Sequence, residues 1–248
     1  MADRNRAHDA PRTAVVWSVL HGELDRRGGD GPLRILDAGG GTGGFAVPLA
    51  EAGHNVTVVD ASPDALAALS RRAAERGVAH RVAAIQGDAD SLLDVAGADS
   101  ADLVLCHSVL EVVDDPAATL TAVNAVLRPG GCASVLVANR AATVLSRALG
   151  GHFTTAAGVL TEPTGRTGPT DTMLRRFDVA SAEALLARAG LLVEQVHGVR
   201  VVADLVPGAL IDTEPGALDA LLALELATAD RPPYRDIATQ LHLLARRA

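Results

Sequence analysis

The stretch "LRILDAGGGTGG", residues 33–44, places five glycines in six positions directly behind a short apolar run. Such a loop, entered from a buried strand and left through a helix, needs backbone that tolerates positive φ and lets a ligand come close. The flanking sequence supplies that context. "LRILD" (33–37) and "NVTVVD" (55–60) read as strands separated by the helix "GFAVPLAEAG" (44–53), with Pro48 confined to its first turn. "SPDALAALSRRAAERG" (62–77) carries Ser62 as an N-cap, Pro63 at the first helical position and Gly77 as a stop. "HRVAAIQGD" (80–88), "ADLVLCHSVL" (101–110) and "CASVLVANR" (132–140) continue the alternation, with a helix over "DDPAATLTAVNAVLRPGG" (114–131). Continuous apolar strands alternating with helices imply a parallel sheet covered on both faces. A preceding helix is expected over 11–27. Beyond residue 140 the period is lost, and 141–178 reads as a loop-rich insertion with a short helix. Helices over 181–190 and 215–230 and strands over 191–202 and 237–247 complete a single 1–248 domain.

The loop fits two fingerprints. Gly39-x-Gly41-x-x-Gly44 matches the dinucleotide pattern, with Asp60 near the distance of a ribose-binding carboxylate. The same residues also give Asp37-x-Gly39-x-Gly41-x-Gly43, in which a carboxylate closes the first strand. That carboxylate would face a pyrophosphate at short range, which is electrostatically poor. S-adenosylmethionine (SAM) carries no phosphate, and its sulfonium and ammonium groups favour a neighbouring carboxylate. Asp60 can take both ribose hydroxyls, and Asp88 in "IQGDAD" can accept from the adenine amino group, with Ala61 and Ala89 beside them. These carboxylates, with the "LRPGG" turn (127–131), favour SAM over a dinucleotide.

Composition narrows the partners. The net charge is −8 and all 22 basic residues are arginine, so broad affinity for nucleic acid is not expected, although a local basic patch is compatible. Cys106 and Cys132 sit in apolar runs and read as buried thiols, with no disulfide and no metal. No apolar run approaches the ~20 residues of a membrane span, and "MADRNRAHDAPR" has no hydrophobic signal region, so a cytoplasmic protein is expected.

"CHSVLEVVDDP", "ANR" after strand five, "GVRV" (198–201), "ALLALELATADRPPY" (220–234) and the terminal "HLLARR" resemble the tRNA 5-carboxymethoxyuridine methyltransferase family. The resemblance runs over nearly the whole chain. It implies a Rossmann-like SAM-dependent methyltransferase fold, with a mostly parallel seven-stranded sheet and helices on both faces. It also implies methyl transfer to the carboxylate of a modified wobble uridine, with the tRNA anticodon loop as partner. By position, Arg12 would clamp the methionine carboxylate, while Gly39, Gly40 and Gly41 would line the methionine. Asp60 would hold the ribose and Ala89 the adenine, His107 would border SAM, and Arg200 would lie near the acceptor carboxylate. His107 and Arg200 are the catalytic candidates, although a carboxylate acceptor demands no strong base. The residues leave open a small-molecule O- or N-methyltransferase, and a SAM-binding protein without catalysis. Arg140, Arg147, Arg166, Arg175, Arg176 and Arg200 converging on a pocket would favour RNA, with Phe153, Phe177 and Tyr234 as candidates for base stacking.

Overall fold

The computed structural model describes residues 12–27, 31–207, 210–211 and 214–248. Its elements run α1 (Ala14–Arg26), β1 (Arg34–Ala38), α2 (Ala46–Glu51), β2 (Asn55–Asp60), α3 (Pro63–Glu75), β3 (Val82–Gln86), α4 (Leu92–Ala96) and β4 (Ala101–His107). They continue with α5 (Pro116–Val126), β5 (Leu127–Ala138), α6 (Arg140–Leu149), α7 (Phe153–Thr161), α8 (Val179–Arg188), β6 (Leu191–Val199), α9 (Ala217–Thr228), α10 (Tyr234–Ile237) and β7 (Gln240–Arg247). The strands form one mostly parallel sheet in the order β3-β2-β1-β4-β5-β7-β6, with helices on both sides. The chain moves outward from β1 through β2 to β3, then returns to place β4 on the other side of β1. That reversal is the point at which open sheets of this kind bind ligands.

The chain divides into two compact units, each assembled from separate stretches. The larger comprises Arg27–Leu136, Glu183–Gln195 and Leu243–Ala248. Its core is aliphatic: β1, β2 and β4 bury Ile35, Leu36, Val56, Val58, Leu103 and Leu105. Two helices start as their sequences dictate. Ser62 accepts from the Ala65 amide at 3.2 Å with Pro63 at the first helical position, and Asp115 accepts from Ala117 and Ala118 at 2.9 and 3.0 Å ahead of Pro116. Asp102, buried where β4 begins, accepts the Arg34 amide at 2.7 Å and pairs with Arg128, so its charge is compensated. β5 begins five residues earlier than the apolar pattern suggests. Its first pairing is Ala101 with Leu127, and a bulge at "RPGG", where Gly130 has φ +72°, precedes the regular register from Cys132. Cys106 and Cys132 are buried free thiols.

The second unit is drawn from Met1–Arg26, Val137–Ala182 and Val196–His242. Here α1 packs against α9, and α6 against α7. The insertion differs from its expectation as a loop with one short helix, because 140–149 and 153–161 are both helical. None of the α6 side chains is fully buried, and Leu145 and Leu149, one turn apart, stay exposed. Residues 162–178 are ordered by carboxylates rather than by a core. Asp171 accepts from the Thr167 amide and hydroxyl at 2.8 and 2.9 Å, from the Met173 amide at 3.1 Å, and from the Arg176 guanidinium at 2.5 and 3.2 Å. Desolvation pushes the Asp171 carboxyl up, but the Arg176 bond and the Thr167 and Met173 bonds together hold it far below the usual carboxylate range. Arg176 is therefore pinned in an ion pair, not a solvated surface charge.

Two buried polar side chains tie the rest of this unit. Asn139 caps α6 by accepting the Ala141 amide at 3.0 Å, and its amide group donates to the carbonyls of Asp236 and Ala238 at 2.9 and 2.8 Å. Glu225, fully buried on α9, accepts three consecutive backbone amides, from Val201, Val202 and Ala203, at 2.9, 2.8 and 2.7 Å. β6 accordingly stops at Val199 instead of running to 202. Asn139→Ala removes the cap and strands two carbonyls, so a loss of about 2–4 kcal/mol is expected. Chemical denaturation against the parent chain measures it.

Candidate active site

The glycine loop takes its shape from β2. The Gly39 amide donates to the Val59 carbonyl at 2.7 Å, and the Gly41 amide to Asp60 Oδ2 at 2.8 Å. Gly39 and Gly41 have φ of +69° and +54°, where a side chain is strained. Close approach is a second constraint: a Cβ on Gly39 would lie 2.5 Å from Val109 Cγ2, and one on Gly40 would collide with the Asp37 carboxylate. Asp60 Oδ1 accepts the Ser62 amide at 2.8 Å. Each oxygen of Asp60 thus has one backbone partner and retains a lone pair for a hydroxyl.

These residues edge a cleft of about 620 Å³. Gly39, Asp60, Ala61, Asp88 and Ala89 all line it, so five of the residues expected from the sequence come together. The cleft is markedly acidic. Asp60, Asp88, Asp90, Asp114 and Asp115 contribute carboxylates, and among the described residues its lining contains no arginine or histidine. A pyrophosphate would meet like charge there, whereas a cationic ligand would be attracted. Asp114, Asp115, Ser108 and Val109 follow β4 and carried no separate signal in the sequence, since a strand-end turn is set by where the strand stops. Ser108 adopts φ +57° and donates its amide to the Leu136 carbonyl at 2.8 Å.

Asp37, Gly40, Gly41 and His107 do not line the cleft. Asp37 is buried beneath Gly40 with Oδ2 lacking a hydrogen-bond partner. Burial, with the nearby Asp60 charge adding to it, raises its pKa to about 7. His107 is partly buried: Nε2 lies 2.8 Å from Ser134 Oγ and its ring meets Phe45 edge-on at 4.7 Å. Desolvation lowers its pKa to about 3, so at neutral pH it is an uncharged packing group.

Arg12 and Arg200 belong to the other unit. Arg200 (φ +60°) lines a second cleft of about 710 Å³, with Arg147, Arg176 and Asp204 as its other charged groups and Leu145, Leu149, Met173, Leu205 and Ile237 as its main apolar wall. Arg200 Nη1 is 3.3 Å from Asp204 Oδ2, while its buried Nε has no hydrogen-bond partner. Arg12 Nε lies 4.0 Å from the same Asp204 carboxylate. Of the other arginines, Arg140 donates to the Pro163 carbonyl at 2.6 Å and Arg166 to that of Asp171 at 3.3 Å, and neither lines this cleft; nor does Arg175. Phe177 is buried, whereas Phe153 and Tyr234 are exposed. Among the described residues no helix is long and apolar enough to cross a membrane, and no cluster suited to a metal ion occurs.

Comparison with known proteins agrees with this geometry. Residues 35–131 match the family described as "Methyltransferase domain". The tRNA 5-carboxymethoxyuridine methyltransferase of Escherichia coli K12 is 32% identical over 238 residues, which is 95% of this chain and 88% of that protein. A ubiquinone biosynthesis O-methyltransferase of Caulobacter sp. strain K31 is 38% identical over 116 residues, 47% of this chain and 45% of the relative. The crystal structure of a SAM-dependent methyltransferase from Mesorhizobium loti superposes with a TM-score of 0.64 at 25% identity, covering 96% of this chain and all of that one. The chain is a SAM-dependent methyltransferase and belongs to the family of the E. coli tRNA 5-carboxymethoxyuridine methyltransferase.

Proposed function

We propose that the whole chain acts as one methyltransferase domain that esterifies the carboxylate of 5-carboxymethoxyuridine in the tRNA anticodon loop. The observation that carries this reading is the buried, unpartnered Nε–H of Arg200 in a cleft with two further arginines. A planar guanidinium with donors to spare suits a carboxylate. The near full-length match to the tRNA enzyme supports the same acceptor. The apolar wall of that cleft supports a second reading, a small carboxylic acid as acceptor.

The acidic cleft fits the cosubstrate. Asp60 would receive the ribose hydroxyls, Asp88 and Ala89 the adenine, and Gly39 to Gly41 the methionine portion, with Asp37 supplying negative charge from beneath. SAM provides an electrophilic methyl group, and a carboxylate oxygen displaces the thioether without any proton changing hands. An acceptor already ionised at neutral pH needs no base, which agrees with the uncharged state of His107. What remains for the protein is orientation and exclusion of water, worth up to ~7–11 kcal/mol in favourable systems. Arg200 would orient the acceptor, and Arg12 remains a candidate for the methionine carboxylate.

Nucleoside mass spectrometry of tRNA from cells lacking the protein tests the acceptor. The methyl ester on the wobble uridine should vanish and the free acid accumulate; an unchanged profile refutes the tRNA reading and leaves the small acid. Asp60→Ala should weaken SAM binding ~10-fold or more by calorimetry, through the lost charge-assisted hydrogen bonds. Asp37 supplies a pH signature. Its folded pKa lies above the unfolded value, so its burial is harmless below pH 4, increasingly costly from about pH 4 to 7, and constant in cost above that. A cationic ligand favours the ionised form. SAM affinity should therefore rise as pH increases toward 7, with proton release measurable by calorimetry in buffers of different ionisation enthalpy. Asp37→Asn should abolish that proton release.

A further inference from the structure

We infer that Asp204 is a displaceable internal carboxylate that occupies Arg200 until an anionic acceptor takes its place. This rests on the acceptor reading above and adds a residue that controls how tightly the acceptor is held. Three observations carry it. The first is that Arg200 and Asp204 sit at the two ends of one short turn, Arg200–Asp204, with Nη1 to Oδ2 at 3.3 Å. The second is the anchoring of that turn from below. Every intervening amide, at Val201, Val202 and Ala203, donates to the buried Glu225 carboxylate, and the Arg200 carbonyl accepts the Thr239 amide at 3.2 Å. The Arg200 backbone is thus held while the side chain of Asp204, about a quarter exposed, can swing toward solvent. The third is the incomplete use of Arg200: the pair engages Nη1 and leaves the buried Nε without a partner.

The pairing in the free protein is therefore a partial version of what an acceptor carboxylate could make. An incoming carboxylate can use the Nε edge as well as the position Asp204 vacates, giving a two-point contact. Exchange of one carboxylate for another keeps the Arg200 charge compensated throughout, so no uncompensated cation is buried at any stage. After transfer the acceptor is a neutral ester and no longer an ion-pair partner. Asp204 then recovers Arg200, which weakens the grip on the product. Arg12, 4.0 Å from the same carboxylate, offers Asp204 a second cation while it is displaced.

The test compares the parent chain with Asp204→Asn and Asp204→Ser, using tRNA that carries 5-carboxymethoxyuridine, isolated from cells lacking the protein. Removing the internal competitor should lower the KM for tRNA by about 1.5-fold to fivefold, the range expected for a partly exposed pair. Thermal melting should be as in the parent. Free acetate, a carboxylate probe, should inhibit the variants at lower concentration than the parent. An unchanged or raised KM for tRNA in both folded variants overturns the inference and makes Asp204 an orienting partner of Arg200. Failure of the parent chain to methylate this tRNA overturns the acceptor reading, and the inference with it.

Discussion

The hydrogen bond from the Gly41 amide to Asp60 ties the glycine loop to a carboxylate that also lines the acidic cleft. It depends on the parallel register of β1 and β2, in which Asp37 stands opposite Val58 and Ala38 opposite Val59. With that register fixed, the loop leaves β1 by way of the Gly39–Val59 hydrogen bond and turns back over the tip of β2. Asp37 is thereby forced under Gly40, in a place where no neighbour completes its hydrogen bonding. The strand pairing of a few residues thus determines which carboxylate lines the cleft and which lies beneath the loop.

Charge is divided between the two units in a manner suited to two different ligands. Among the described residues, the cleft at the β1–β4 switch point is lined by five aspartates and no arginine, a field that favours a cation. The cleft in the other unit holds three arginines and a single aspartate. In a chain of net charge −8 this local reversal is the significant electrostatic feature, because averaged charge carries little information about a specific site.

The parts legible in the sequence were those governed by neighbours in the chain. Ser62 with Pro63 caps its helix because capping is settled within three residues. The glycine loop, Asp60, Ala61, Asp88 and Ala89 emerge at strand tips because strand ends are marked by the loss of apolar residues. The insertion escaped the reading because α6 leaves Leu145 and Leu149 unburied, so its apolar face does not join a core. The order in 162–178 comes from one carboxylate collecting donors at positions −4, +2 and +5, a pattern with no periodicity to detect. His107 and Phe177 show the opposite limit. Their residue types suggest chemistry or stacking, and only the fold reveals that Phe177 is enclosed and His107 is packed against Phe45 and Ser134.

Glu225 has a consequence for how this chain can vary. Its grip on three successive amides sets the path of the Arg200–Asp204 turn from α9, independently of the covalent connection between them. Aspartate at 225 would fall one methylene short, and glutamine would oppose amide donors with a donor of its own. Position 225 therefore has little latitude, because the backbone that carries Arg200 hangs on that one carboxylate.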